Sequence, residues 1–343
     1  TGLSTMLRGL KAYSSNLTAI VTVADDGGSS GKLRKQLNIL PPGDIRNCLV
    51  ALADSETQMT ELFQYRFRDS VDPGSAAGGQ HIARKSPGES GGDLMPAAAS
   101  VTTMAPARYG EGLRDHAFGN LLIAAMCAIN NGDFELGVRQ TSRILKVRGR
   151  VLPSTDACVT LRAEMEDGSF IEGEVNIAAS PLRIKRMYLS PQDARPMDEV
   201  LEAIDQADVI VMGPGSVFTS VIPNLLIRRI PEAIRKSRAK KIYVCNVMTQ
   251  PGETDGFSAF DHVQAIAKHA QERVFDYVMV NTGRPDTERI EKYRSTGSLL
   301  VEADTDRIKA AGYRTITGNF INQTDVVRHE ATRLAEAIIR LVA

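Results

Sequence analysis

The 343-residue sequence predicts an α/β chain: a mainly parallel sheet flanked by helices, with an antiparallel hairpin addition. Three observations lead there. Short β-branched, apolar runs recur at residues 21–24, 207–213, 240–248 and 274–280, each stopping abruptly at glycine or polar residues, as buried strands do. Amphipathic helical patterns such as MDEVLEAIDQ separate them, and strands alternating with helices pair in parallel. Finally, Asp167-Gly168 sits between the alternating runs CVTLRAEM and SFIEGEVNI, a strong hairpin signal.

Residues 21–47, VTVADDGGSSGKLRKQLNILPPGDIRN, organise the rest. A strand empties into a loop holding Asp25, Asp26, Gly27, Gly28, Ser29 and Ser30, and a short basic helix starts near Ser30 with Arg34 inside it. Helix starts present unpaired N–H groups, and glycines let backbone approach a ligand closely, so the corner suits a phosphate. Asp25 and Asp26, at the strand's carboxyl end, are candidate ligands for Mg²⁺. The competing reading is that Asp26 and Ser30 only make turn and cap hydrogen bonds.

Before this corner, TGLSTMLRGLKAY reads as the inside of a helix, with Thr1 and Gly2 as the tail of a glycine-rich turn whose strand lies upstream. After it, Pro41-Pro42-Gly43 forces a turn and Asp44 is placed to cap the helix IRNCLVALA, with Arg46 and Asn47 in its first turn. A cation at a helix N-terminus opposes the macrodipole, so Arg46 points to a nearby anion. Residues 70–110, rich in Gly, Ala, Ser and Pro, read as a long mobile insertion, with His81 a solvated loop residue. Order returns at RDHAFGNLLIAAMCAI, an apolar helix expected to be buried all round, with His116 and Asn120 at its start as cap or cleft residues.

Residues 147–189 read as an antiparallel strand addition without chemistry of its own. The main pattern resumes with a second strand-to-glycine-to-helix corner, GPGSVFTSVIPNLL, where Gly213 and Gly215 open the backbone and Ser216 can cap. The third strand, residues 240–248 with Asn246 inside it, ends in the polar turn TQPGETDG that begins with Thr249, the fourth ends at Asn281-Thr282-Gly283, and SLLVEAD and residues 315–321 are read as further short strands. Ligands of such sheets bind outside the carboxyl ends of the strands, so all four corners are expected along one edge around a nucleotide or other phosphate-bearing molecule.

Lys+Arg and Asp+Glu both number 41, which excludes a basic nucleic-acid footprint. The longest apolar run, residues 121–129, is too short for a bilayer, which takes about 20 residues. Four scattered cysteines without C-x-x-C pairing read as reduced thiols, hence a cytoplasmic protein. The basic run RRIPEAIRKSRAKK and the long insertion offer surfaces for protein partners, and a homo-oligomer stays open.

ADDGGSSGKLR, PPGDIRNCL, HAFGNLL, GPGSVFTSVIPNLL and CNVMTQPGETDGF closely resemble the gluconeogenesis factor family, the YvcK-like proteins, relatives of the CofD enzyme 2-phospho-L-lactate transferase. Ala117 stands where that family usually has serine. The resemblance covers nearly the whole chain and implies one Rossmann-like domain over residues 1–343. It further implies a regulator of gluconeogenic growth and cell shape that binds UDP-N-acetylglucosamine, with Tyr293 in EKYRSTGS and Arg328 in VVRHE contacting the sugar nucleotide. An aromatic face can stack on uracil or a sugar, and a guanidinium can grip a diphosphate. The transferase branch implies instead a phosphotransferase using a nucleotide-diphosphate-linked donor and Mg²⁺, with Asp44, Arg46 and His116 at the reacting end.

Overall fold

The computed structural model describes residues 2–54, 57–67, 112–322 and 327–342. Thr1 and the 70–110 insertion with His81 lie outside them. Among the described residues, two parallel sheets and one antiparallel sheet carry the fold. The largest contains β6 (Val209–Met212), β7 (Lys240–Val244), β8 (Tyr277–Asn281) and β9 (Arg314–Gly318), hydrogen-bonded in that order and all parallel. Parallel neighbours need long crossovers. Here the helices Ile230–Lys236, Ala259–Ala270 and Thr305–Ala310 make them. Ile242, Tyr243, Val244 and Val278 to Val280 are buried, as continuous apolar runs covered on both faces should be. The second parallel sheet pairs β1 (Thr18–Val21) with β2 (Arg150–Pro153).

Helix Gly2–Leu10 turns Met6 and Leu10 onto Leu334 and Ile338 of helix Ala331–Ile339. Their contact is close enough that a Cβ on Gly9 would lie 2.1 Å from the Ala331 carbonyl oxygen, so only glycine fits.

The addition is β3 (Thr160–Met165) between β4 (Phe170–Glu172) and β5 (Ile184–Ser190), both antiparallel to it, with Asp167-Gly168 turning the hairpin. Three expectations about strands are corrected. β2 lies within 147–189 yet is a parallel partner of β1. GEVNI is not strand but the start of helix Glu174–Ala179. Gly173, at φ +90°, breaks the extended run, and the Asp26 carboxylate accepts the Val175 N–H at 3.1 Å, which satisfies one free donor of the new helix. SLLVEAD contributes a single bridge, Met248 with Leu300, rather than a strand.

Helix Phe118–Ile129 is buried on one side only, since Ile129 is 72% exposed. Asp44 does not cap helix Gly43–Leu52: Pro42 holds the cap position and Asp44 falls inside the first turn. Nor does Ser30 cap helix Gly28–Leu37, whose cap residue is Gly27. Cys48, Cys127 and Cys245 are buried free thiols, while Cys158 is exposed. Among the described residues no helix is long and apolar enough to cross a membrane.

Candidate functional site

The carboxyl ends of β1, β6 and β7 open into one cleft of about 560 Å³. At β6 the chain turns through Gly213, whose φ of +75° disfavours any side chain and where a Cβ would lie 2.8 Å from the Val244 carbonyl oxygen. Ser216 then accepts hydrogen bonds from the Thr219 N–H at 3.1 Å and the Thr219 hydroxyl at 2.8 Å, capping the π-helical turn Val217–Val221, a form concentrated at functional sites. Asn246, just past β7, ties the two corners together: its amide nitrogen donates to the Gly215 carbonyl at 2.8 Å and its oxygen accepts the Gly215 N–H at 3.1 Å. Thr249 is fastened by a 2.8 Å bond from the Leu299 N–H. These contacts fix the wall, and Gly2, Gly215 and Ser220 also border the cleft.

Tyr293 and Arg328 border the same cleft, although 35 residues separate them in the chain. Tyr293 packs on a small apolar cluster of Val247, Ile321 and Val327, which leaves its ring at the wall. Next to Arg328, buried His329 bonds the Cys245 carbonyl at 3.1 Å, and burial pulls its pKa down to about 4, so the ring is neutral near pH 7.

The opposite character comes from carboxylates. Asp25, Asp44, Glu174 and Glu253 all line the cleft. Burial, then the neighbouring Asp25 and Asp44, pushes Glu174 up to about 8. Burial and then Asp25 raise Asp44, and burial raises Glu253, which also bonds the Ser216 hydroxyl. Asp25 itself accepts the Gly27 N–H at 2.8 Å. Among the described residues no three His, Cys, Asp or Glu side chains are grouped to hold a metal ion by themselves.

The remaining residues singled out in the sequence stand outside this cleft. Asp26 accepts the Val175 N–H and does not line the cleft that Asp25 borders. Ser29 is a buried hub: it meets His116 Nδ1 at 3.0 Å, and the Asn120 amide donates to it at 3.0 Å. Burial, followed by Lys32 and Arg66, lowers the pKa of His116, which keeps it neutral. Ala117, fully buried, reaches the same hydroxyl through its N–H at 3.4 Å. Arg34 straps its helix to β3 through the Val159 carbonyl at 2.6 Å, a structural duty. Arg46 donates to Asn47 at 2.9 Å, while its Nε and Asn120 Oδ1 are buried without a hydrogen-bond partner among the described residues. Ser30 fills the space beside Gly43, Gly27 caps its helix, and Gly28 adopts φ +46° in open space. At β8 the fourth corner turns inward instead: Asn281 accepts the Phe320 N–H at 3.0 Å.

The sequence model of the family described as 2-phospho-L-lactate transferase CofD matches residues 1–321. The chain belongs to the CofD family. Within this family it is 45% identical, over 99% of its own length and 93% of the other, to the gluconeogenesis factor of Halalkalibacterium halodurans. It is 41% identical to the gluconeogenesis factor of Bacillus subtilis, over 100% of this chain and 95% of that one. A crystal structure of a UPF0052 family member from Bacillus halodurans superposes with a TM-score of 0.85 at 44% identity, covering 99% of this chain and 96% of that one. The family match ends before Arg328, so Tyr293 lies inside it and Arg328 beyond it.

Glu174 and Glu253 are the cleft carboxylates that sequence reasoning missed. Glu253 stood in TQPGETDG, a polar turn at a strand's carboxyl end, and that position was the available signal. Glu174 gave none, because only the distant Asp26 brings its helix to the rim.

Proposed function

We propose that this protein is a nucleotide-sugar-binding regulator of the gluconeogenesis-factor type, with UDP-N-acetylglucosamine as its ligand and growth on gluconeogenic carbon and cell-shape maintenance as its role. The observation that carries the reading is that Tyr293 and Arg328 share one cleft with Gly2, Gly215 and Ser216. In this arrangement the tyrosine ring stacks on the base or sugar, the guanidinium pairs with the diphosphate, and the open backbone of the β6 corner takes the remaining phosphate oxygens.

A diphosphate entering a cleft that also holds Asp25 and Asp44 needs its charge screened. Mg²⁺ suits that task, since it binds through one or two carboxylates together with substrate phosphates. Asp25 and Asp44, mutually close and hard-oxygen donors, would hold it. Titration calorimetry with UDP-N-acetylglucosamine, with and without Mg²⁺, tests the reading. Saturable heat supports it, and a flat titration in both conditions refutes it.

The carboxylate wall also favours a second reading, a phosphotransferase of the 2-phospho-L-lactate transferase type. There Mg²⁺, held by the acids, would neutralise charge on the donor's diphosphate as the phospholactyl group moves to the acceptor and a nucleoside monophosphate leaves. Incubation with a guanosine-diphosphate-linked phospholactyl donor, a deazaflavin acceptor and Mg²⁺, followed by mass spectrometry, separates the two: product supports transfer, and none leaves the regulator.

A further inference from the structure

A second concave surface, a groove of about 400 Å³, runs along the outer edge of the β1–β2 sheet. Helix Phe134–Ile144 lines it with Arg139, Ser142 and Arg143, and Lys146 follows just past the helix end. Its floor is β2 from Arg150 to Leu152, where Val151 and Leu152 are buried. Glu199, in the first turn of helix Asp198–Asp205, borders it from a third element. No described residue lines both this groove and the ligand cleft.

The groove's charges depart from the habit of the chain. Helical cations elsewhere have a carboxylate three or four residues earlier: Lys236 meets Glu232, Arg294 meets Glu291 and Lys309 meets Asp306. Arg139 keeps to this with Glu135. Arg143 and Lys146 do not. Three and four residues before Arg143 stand Gln140 and Arg139, and before Lys146 stand Arg143 and Ser142. Neither cation has an ion-pair partner among the described residues, and both are exposed.

A spacing of four sets Arg139 and Arg143 side by side on one helix face, where like charges repel. The helix dipole favours cations in a last turn, which accounts for Arg143. It does not account for Lys146, which sits beyond the helix at φ +49°, a place where glycine or asparagine is usual. Nor does it explain why Arg150 of β2 borders the same concavity. An anion seated in the groove would be met by all of these cations.

The rest of the lining selects what carries the anion. A phosphate suits the cations, because guanidinium and ammonium groups give it charge-assisted hydrogen bonds. Glu199 has no ion-pair partner among the described residues, and a carboxylate only accepts hydrogen bonds, so it suits hydroxyl groups and opposes further negative charge. That disfavours an acidic peptide or a nucleic acid. The apolar floor takes the C–H face of a ring, and the volume falls in the range of small-molecule sites.

We propose that this groove is a second ligand site that takes a sugar phosphate, with the phosphate among Arg143, Lys146 and Arg150 and the hydroxyls on Glu199. The assignment holds whichever ligand fills the cleft.

Calorimetry of the 343-residue chain with glucose 6-phosphate tests it, beside inorganic phosphate, glucose and hexaglutamate. Glucose 6-phosphate is expected to bind saturably with a Kd of about 1 mM or tighter, and more tightly than each of the other three. Arg143→Ala combined with Lys146→Ala should weaken it about tenfold or more. Arg148→Ala should leave it unchanged, since Arg148 is spent on Asp54 at 2.8 Å and does not line the groove. Glu199→Ala should weaken glucose 6-phosphate while inorganic phosphate binds no more weakly, a split that general damage to the fold would not produce. Absence of saturable heat overturns the proposal, as does equal affinity in the double variant, which would place the probe elsewhere. Inorganic phosphate binding as tightly as the ester reduces the groove to a plain anion site, and hexaglutamate binding most tightly assigns it to an acidic protein partner; either result overturns the sugar-phosphate assignment.

Discussion

Glu174 is half-buried among acids, and its raised pKa of about 8 makes it a source of pH dependence. Below about pH 4.5 the carboxyl is neutral in both folded and unfolded chains. Between that value and 8 the folded state binds more protons than the unfolded state, so the stability owed to this group falls as pH rises and is lost above 8. Glu174→Gln removes the titration while keeping shape. The variant is expected to match the parent at pH 5 and to exceed it by roughly 1–3 kcal/mol at pH 9, read from denaturant midpoints; parallel pH profiles would refute it. Arg328 makes a different prediction, because its backbone is held by the Asn322 side chain at 3.2 Å while its own side chain is exposed at the cleft. Arg328→Ala should leave Tm within a degree and weaken UDP-N-acetylglucosamine binding by about 1.5–3 kcal/mol, the worth of a hydrogen bond to a charged group. An unchanged dissociation constant in calorimetry takes Arg328 out of the site.

At the scale of elements, the short helix Glu174–Ala179 shows how tertiary contacts override local pattern. Read alone, the alternation in SFIEGEVNI says strand, and for Phe170–Glu172 it is one. The remainder turns helical because Gly173 adopts a positive φ and Asp26 supplies a carboxylate to the N–H of Val175 from 149 residues away. Gly173 stands within the segment, but Asp26 lies far outside it. The β6 corner was legible for the opposite reason: its glycines, its capping Ser216 and its bounding apolar strand lie within about ten consecutive residues. Asp26→Ala should remove the anchor of helix Glu174–Ala179, costing about 0.5–2 kcal/mol as lost caps do. It should also speed amide exchange of Val175 while that of β7 stays unchanged; equal protection of Val175 in both proteins would show that Asp26 holds nothing. Packing between elements gives a sharper case. Gly9→Ala places a methyl 2.1 Å from the Ala331 carbonyl, so helices Gly2–Leu10 and Ala331–Ile339 must separate, at a cost of about 1–3 kcal/mol. A denaturant midpoint equal to the parent's would mean the two helices give way freely.

For the whole molecule, the consequential fact is that the cleft is built from chain segments far apart in sequence. Gly2, Asp25, Glu174, Ser216, Asn246 and Arg328 reach it from both parallel sheets and from the antiparallel addition. This gathering was the part of the site the sequence could support, since strands alternating with helices put their carboxyl ends on one edge. Which corners would face inward was not legible. Asn281 spends its side chain on Gly283 and Phe320, and Ser29 on His116 and Asn120, through contacts that only the folded chain defines. A ligand touching so many segments binds the native chain and has no counterpart in the unfolded one, so it stabilises by mass action. At a UDP-N-acetylglucosamine concentration 100 times its dissociation constant the gain is about 2.7 kcal/mol. With an unfolding entropy near 2.1 cal/mol/K per residue, this corresponds to a Tm increase of roughly 4 °C for a chain of this size. Because the contacts join both sheets, the shift should appear as one displaced transition in calorimetry. A transition that splits, with only one part moving, would mean that the ligand engages one sheet alone, and a Tm that stays fixed at saturating ligand would mean that this cleft does not bind it.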